Sequence, residues 1–371
     1  MKPFKIPMLF TSLFVLFSFP GIAPPPLYAD FDFGEPVPIL PVLDPENHYE
    51  FINCLSYDGL ELYFHSLRPG GEGDYDLWVL KRISVDEDWG PPENLGPVVN
   101  GPTEEGSPFI SRDGLELYFH SNRTGGYAIY MTTRHSKDAP WQSPVNLGST
   151  VNSPFRDAAQ PWISSNGLEL YFGSSRPGGY GRGDIYVSTR ATTEDPWDEA
   201  VNVGPAVNSP YDELFLSLSP DGLLLLFGET SAAPWHPGGY GEADVWISRR
   251  ASLSDPWQGR VNAGPNVNGP ERENIPRISP DGRTLYFISR QTGEWQNYQA
   301  PILPIVDFNG DEAVDAADID ILIDCWGTDE PLCDIGPYAW GDGVVDVEDL
   351  IVLVEHIVAA RADAEDSDAG E

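Results

Sequence analysis

Residues 307 to 318 read DFNGDEAVDAAD, a run dense in oxygen donors at near-alternate positions. Asp307, Asn309, Asp311, Asp315 and Asp318 fall at positions one, three, five, nine and twelve, and the carbonyl of Ala313 falls at seven. Calcium is a hard cation that takes about six to eight oxygens, and this spacing wraps them around one point. The expected ligand is therefore Ca2+. Glu312 stands at the sixth position, where glycine makes the sharp turn, at a cost of about 1 kcal/mol in a left-handed conformation. A second run, GDGVVDVED, repeats half of the pattern. Asp342, the carbonyl of Val344, Asp346 and Asp349 match positions five, seven, nine and twelve, while one and three fall on the poor donors Tyr338 and Trp340.

Other reactive chemistry is sparse. None of the six histidines sits in a spaced metal motif such as HExxH, and no GxSxG elbow occurs. No catalytic residue is singled out. A glycosidase needs only two carboxylates at a defined separation, and the chain has many carboxylates but no pair that stands apart.

The elements that must position these groups come from an internal repeat. YDGLELYFHS, RDGLELYFHS, SNGLELYFGS, PDGLLLLFGE and PDGRTLYFIS place turn glycines at Gly59, Gly114, Gly167, Gly222 and Gly282, at intervals of 55, 53, 55 and 60 residues. Each unit has a strand before the turn, an alternating strand after it, a Gly-rich loop, a third strand such as DIYVSTR, and a Trp-containing fourth. Four strands per unit at this period indicate a β-propeller. The fifth unit lacks its Trp-containing strand, and FGEPVPILP from Phe33 matches WGPPENLGP from Trp89 in layout. The expectation is an all-β, five-bladed ring closed by the N-terminal strand, which removes an open sheet edge.

Within the repeat, Glu50, Glu105, Glu213 and Glu273 lie nine residues before the turn glycine, and the third unit has Ala158 there with Asp157 beside it. They read either as a ring of acids at the channel mouth, binding a cation, a sugar or a basic peptide, or as a hydrogen bond to backbone or arginine repeated in each blade. A residue that recurs with the repeat usually serves the repeat. Arg68, Arg123 and Arg176 recur nine residues after the glycine, and an inter-blade ion pair with Asp76, Asp184 or Asp244 is expected. The Gly-Gly pairs are not phosphate loops, because no helix follows them.

The repeat SPDGxxLYFxSxRPGGxGxxDIY resembles the TolB-type, WD40-like propeller repeat over about residues 31 to 303. The two loop-plus-helix units, with helices IDILIDCW and LIVLVEHIVAA, resemble a type I dockerin over about residues 304 to 359. That resemblance implies calcium-dependent folding and docking to a cohesin-type partner on a scaffold or cell surface. Both loops depart from an ordinary EF-hand in ending on aspartate. The propeller resemblance fixes no function. The leading expectation is a secreted, noncatalytic binding and assembly protein whose propeller contacts polysaccharide or protein. The alternative is a polysaccharide-degrading glycoside hydrolase, since dockerins often carry such enzymes and five-bladed propellers include glycoside hydrolase families.

The 371 residues hold 21 Lys plus Arg and 58 Asp plus Glu, a formal net charge of -37. Phosphate binding needs a basic face, so a nucleic-acid partner is excluded as the default, and so is an anionic membrane surface. Residues 307 to 371 contain 20 acids and one base, Arg361, and this shift marks a domain boundary near 301–306. Lys2, Lys5 and the apolar run Met8 to Phe19 read as a secretory signal ending at Ala29. The expected organisation is a signal peptide at 1–29, the propeller at 30–303, the dockerin-like module at 304–359 and an acidic, disordered tail at 360–371. The mature protein is expected outside the cytoplasm, extracellular, periplasmic or at the cell surface, with no membrane span. There Cys325 and Cys333 could pair, and Cys54 reads as a buried thiol.

Overall fold

The computed structural model describes residues 31–39, 43–44, 49–153, 157–229, 236–311 and 313–368. The expected signal peptide lies outside them. Among the described residues no helix is long and apolar enough to cross a membrane.

Two short N-terminal strands, β1 (Phe31–Phe33) and β2 (Val37–Pro38), precede the first unit. Blade one is β3 (Cys54–Leu55), β4 (Glu61–Ser66), β5 (Asp76–Lys81) and β6 (Glu93–Asn94). Blade two is β7 (Glu105–Ile110), β8 (Glu116–Ser121), β9 (Ala128–Thr133) and β10 (Val145–Asn146). Blade three is β11 (Ala158–Ile163), β12 (Glu169–Ser174), β13 (Asp184–Thr189) and β14 (Val201–Asn202). Blade four is β15 (Glu213–Leu218), β16 (Leu224–Glu229), β17 (Val245–Arg249) and β18 (Val261–Asn262). Blade five supplies β19 (Glu273–Ile278), β20 (Thr284–Ser289) and β21 (Gln296–Pro304), and β1 and β2 both pair antiparallel with β21. Pro38 faces Tyr298 as Asn94 faces Trp78 in blade one. The N-terminal strand thus completes the last blade in the register expected from the sequence.

The Asp-Gly turns are not the two-residue type in which both central residues need positive φ. Only the glycine takes it, at +68° in Gly59, and the aspartate serves as a side-chain brace. Asp58 Oδ1 accepts from Ser56 Oγ at 2.6 Å and from the Leu60 N–H at 3.1 Å. Alternation is the pattern of a half-buried strand, yet Leu62, Tyr63 and Phe64 are all buried. Each blade lies between two others, so both faces are covered. Tyr63 joins the cluster that runs through blades two to four, while Leu62 and Phe64 pack with Trp78 and Leu80 beside Tyr286 of blade five.

A second repeated arginine, at the end of the third strand, fastens the blades. Arg134 binds Glu61 of blade one through both guanidinium ends at 3.2 and 2.7 Å, and Arg250 binds Glu169 of blade three at the same two distances. Arg82, Arg134, Arg190 and Arg250 also stack on Trp89, Trp141, Trp197 and Trp257, with centroid distances of 4.3 to 4.6 Å. The recurring tryptophan is therefore a platform for the blade's own arginine.

The C-terminal module has two helices, α1 (Ala316–Asp324) and α2 (Val347–Asp368). They close over Phe308, Leu322, Ile335, Val345, Leu353 and Ile357, and Cys325 is disulfide-bonded to Cys333. Leu322, Leu353 and Ile357 are buried, while Ile323 and Val354 are exposed. Helix α2 runs to Asp368, through the tail expected to be disordered; the alanines of AARADA are strong helix formers that carry it on.

Candidate functional site

The first acidic loop is wound by its own side chains. Asp307 Oδ1 accepts from the backbone N–H of Gly310 at 2.8 Å and of Asp311 at 3.2 Å, Asn309 Oδ1 from Asp311, and Asp311 Oδ1 from Ala313. Asp315 caps α1, accepting from Ala317, and the buried Asp318 ties the loop ends, accepting from Phe308 at 2.8 Å and from Asp315 at 2.9 Å. Glu312 lies outside the described residues.

The second loop repeats this knot with one difference that the sequence concealed. Asp349 is buried and accepts from the N–H groups of Ile335, Gly336 and Asp346, as Asp318 does from Phe308 and Asp315. Asp342 Oδ1 accepts from Val344 and Asp346 caps α2. The first-position role belongs to Asp334, whose carboxylate accepts from Asp342 at 2.8 Å and from Gly343 at 2.6 Å. Eight residues separate Asp334 from Asp342, against four between Asp307 and Asp311. The reading that put positions one and three at Tyr338 and Trp340 is corrected by this four-residue insertion. The signal was an aspartate followed by an apolar residue, Asp307-Phe308 and Asp334-Ile335, with both apolar side chains in the module core. Burial pushes the Asp334 carboxyl above the ordinary aspartate range, and the charges of Asp349 and Asp342 add to the shift.

All donors in both loops are hard oxygens, the chemistry that calcium selects. Among the described residues, no three His, Cys, Asp or Glu side chains converge closely enough to hold an ion. In the first loop Asp307, Asn309, Asp311, Asp315 and Asp318, with the Ala313 carbonyl, are the groups that would hold one. In the second they are Asp334, Asp342, Asp346 and Asp349, with the Val344 carbonyl.

The inserted segment points away from the loop into the propeller. It begins at a cis Gly336–Pro337 bond and stacks Tyr338 on Trp340 at 5.0 Å. Trp340 is fully buried, its Nε1 donates to Asp221 Oδ2 at 2.7 Å, and its carbonyl accepts from Arg249. Tyr338 lies so close to Gly282 that a Cβ there would be 2.5 Å from its ring. The module is thus seated on the turn end of blades four and five.

The recurrent glutamates do not face an open channel. Glu50, Glu105, Glu213 and Glu273 are fully buried. Glu50 accepts from Ser66 Oγ at 2.6 Å and from Arg68, Glu105 from Ser121 at 2.7 Å, and Glu273 from Ser289 at 2.7 Å. Glu213 pairs with Arg260 at 3.0 Å. These are the bonds within each blade of the second reading. The expected partners of Arg68 and Arg123 are also corrected: they pair with Glu50 and Glu105, and Arg176 donates to the Val151 carbonyl. Asp76, Asp184 and Asp244 instead hold the Gly-rich loops through backbone N–H groups. Asp157 is exposed and accepts from the Tyr127 N–H at 3.0 Å.

The hub itself is plugged. Arg277 and Trp162 meet there, 5.5 Å from guanidinium to ring centroid, above a cavity of about 20 Å³ shared with Cys54 and Phe109. Cys54 is buried, as expected, and burial pushes its thiol up to about 12.

A cluster of ionisable side chains spans blades one and two. His65 and His120 occupy a position that is Gly173, Gly228 and Ile288 in the other blades. Glu104 accepts from the Tyr127 hydroxyl and lies 3.7 Å from His120 Nε2, and these contacts, His120 first, hold its carboxyl below the usual glutamate range. Burial pushes the His65 imidazole down to about 3, with His120 reinforcing the shift. Its folded pKa lies below the ordinary 6.5, so stability is full above about pH 6.5 and is lost as pH falls from there toward 3. A proton-detected titration of this ring should show no protonation step between about pH 8 and 4.5; a step near the ordinary histidine value would place the ring in water.

No family model matches the chain, and no curated protein sequence matches it. Solved structures do. TolB from Acinetobacter baumannii matches at 15% identity over 67% of this chain and 51% of that one, with a TM-score of 0.42. An alpha-L-arabinofuranosidase from Lactobacillus brevis matches at 14% identity over 71% of this chain and 92% of that one, at 0.46. A puromycin-hydrolyzing peptidase from Mycobacterium tuberculosis matches at 16% identity over 74% of this chain and 37% of that one, at 0.39. The chain spans about half the length of the TolB structure and less of the peptidase.

Proposed function

We propose that the protein is an exported, noncatalytic binding and attachment component. Its propeller contacts polysaccharide or protein, and its C-terminal dockerin-like module binds calcium and docks a cohesin-type partner. The observation that carries this reading is the outer face of α2. Val347, Ile351, Val354 and Val358 are all exposed and recur at helical spacing, on a different side from the buried Leu353 and Ile357. An apolar stripe on so acidic a module is a face that a partner would cover. Calcium would draw Asp307, Asn309, Asp311, Asp315 and Asp318 around one ion, and in the second loop it would offset the burial, and with it the charges of Asp349 and Asp342, that raise Asp334. It would thereby set the pitch of α2 against α1.

The test uses the full chain. At calcium one hundred times above Kd the module should gain about 2.7 kcal/mol over the chelated protein, and the double replacement of Asp307 and Asp318 by alanine should lose most of that gain. Equal melting temperatures in calcium and in chelator would reject the metal. Capture by an immobilised cohesin should require calcium and fail in Ile351→Asp/Val354→Asp. Calcium-independent capture, or none, would reject the docking role.

One feature favours a hydrolase as the second reading. Glu104 and Asp157 hold the same repeat position in blades two and three, are incompletely buried, and are both held to Tyr127. Release of reducing ends from a polysaccharide panel, abolished by Glu104→Gln, would establish it.

A further inference from the structure

At or beside the start of the third strand the five blades carry Asp76, Ala128, Asp184, Asp244 and Gln296. In blades one, three and four this carboxylate accepts from an asparagine of the fourth strand. Asn94, Asn202 and Asn262 donate through Nδ2 at 3.0, 2.8 and 3.0 Å. It also accepts from N–H groups of the loop before it, Gly73, Gly181 and Gly241 among them. In blade five Gln296 takes the place and accepts from the Tyr298 hydroxyl. Blade two lacks both the carboxylate and part of the loop. Ten residues separate Ser66 from Asp76 and Ser174 from Asp184, but seven separate Ser121 from Ala128, as seven separate Ser289 from Gln296 in blade five.

The asparagine of blade two has been left behind. Asn146 keeps its Oδ1 bonds, accepting from the Gly148 N–H at 2.9 Å and from Asn152 Nδ2 at 3.0 Å. Its Nδ2 donates to no group among the described residues, and the side chain is exposed where Asn94, Asn202 and Asn262 are half-buried. The missing loop leaves a cavity of about 530 Å³ lined by Tyr127, Asn146, Ser149, Asn152, Ser153 and Asp157. That is within the range of about 300–1,000 Å³ found for small-molecule sites.

We propose that this gap between blades two and three binds one neutral sugar residue, an inference that rests on the reading of the propeller as a polysaccharide-contacting domain. The lining offers a free amide donor, a carboxylate acceptor and hydroxyls that can do either, the mixture that a polyhydroxylated ring satisfies. Vicinal hydroxyls would donate to Asp157 and accept from Asn146 Nδ2. Tyr127 is fixed at both ends, by its N–H to Asp157 and its hydroxyl to Glu104, and gives a rigid aromatic wall for the C–H face of a pyranose or furanose. Asp157 and the net charge of -37 disfavour an anionic ligand.

The experiment is saturation-transfer NMR on the full chain with D-glucose, D-galactose, D-xylose and L-arabinose, with D-glucuronate as the charged control, alongside retention on insoluble cellulose and arabinoxylan. Asn146→Asp keeps the Oδ1 bonds and removes the donor, and Ala128→Asn refills the gap without adding charge. Asn146→Asp, at an exposed side chain, should leave the melting temperature unchanged, and Ala128→Asn, at a buried position, should lower it slightly without unfolding the chain. At least one neutral sugar should bind, glucuronate should not, and each variant should weaken binding at least about tenfold. Sugar binding undiminished in both variants would overturn the site. Retention on polysaccharide with no monosaccharide signal would also overturn it while leaving the propeller reading intact. Absence of both signals would overturn the two together.

Discussion

Trp340→Ala is expected to release the C-terminal module from the propeller and to destabilise the chain by about 3–5 kcal/mol, the cost of emptying a buried indole site. The side chain has no exposed surface, and its Nε1 bond to Asp221 reaches a residue that itself braces the Asp-Gly turn of blade four, accepting from the Leu223 N–H at 2.9 Å. Phe31, in the strand that closes the ring, packs edge-on against the same indole at 6.1 Å. The loss should therefore reach both partners. Calorimetry should resolve a separate, lower transition for the module, and protease should cut between residues 304 and 316 faster than in the parent. A single transition at the parental temperature would mean that the module is not held by this residue. Trp340→Phe separates the two contributions: it keeps most of the packing and loses only the bond to Asp221, so it should cost about 1–3 kcal/mol.

Arg277→Leu is the second large effect. The guanidinium is buried in the hub, and its partners are carbonyls rather than carboxylates: Asn53 at 2.7 Å, Leu216 at 2.9 Å and Pro276 at 2.8 Å. Burial lowers its pKa to about 10, a measure of how poorly the hub solvates the charge. Two effects of leucine oppose each other. Removing a desolvated charge is favourable, and buried ion pairs replaced by apolar groups can gain stability. Stranding carbonyls from two other blades costs about 1–3 kcal/mol for each buried group left unbonded. The stranding should win, because no apolar side chain can restore three bonds at once, and urea midpoints should fall by an amount equivalent to at least about 2 kcal/mol. Arg277→Lys should rescue little, since an ammonium lacks the planar fork that reaches carbonyls on opposite sides. A more stable leucine variant would show that desolvation dominates, and that the arginine is kept for something other than stability.

Much of the ring was legible because the information was local and repeated. An Asp-Gly turn, a period-two strand and a Trp-bearing fourth strand recur at nearly constant spacing, and the register of Val37 and Pro38 against β21 followed from matching Phe33 to Trp89. The acidic loops were legible for the same reason: Asp307 to Asp318 and Asp342 to Asp349 keep a fixed spacing that side-chain-to-backbone bonds require.

What the linear order hid was decided by packing between segments distant in sequence. Spacing marked the recurrent glutamates and arginines but not their pairing, because only the folded blade brings Arg68 to Glu50 while Asp76 turns to the loop N–H groups. Asp334 was passed over because an insertion moved it out of step, and the inserted Tyr338 and Trp340 counted as failed ligands until the propeller lay beneath them. The gap at Ala128 likewise has meaning only beside Asn146, a residue of another strand. By itself the sequence determined the blade, its number and its closure, since each is a short-range hydrophobic and turn pattern repeated along the chain. Only the tertiary structure decided which polar groups are buried and satisfied and which remain free to meet a ligand, because that depends on the desolvation and reach of partners that the chain brings together from far apart.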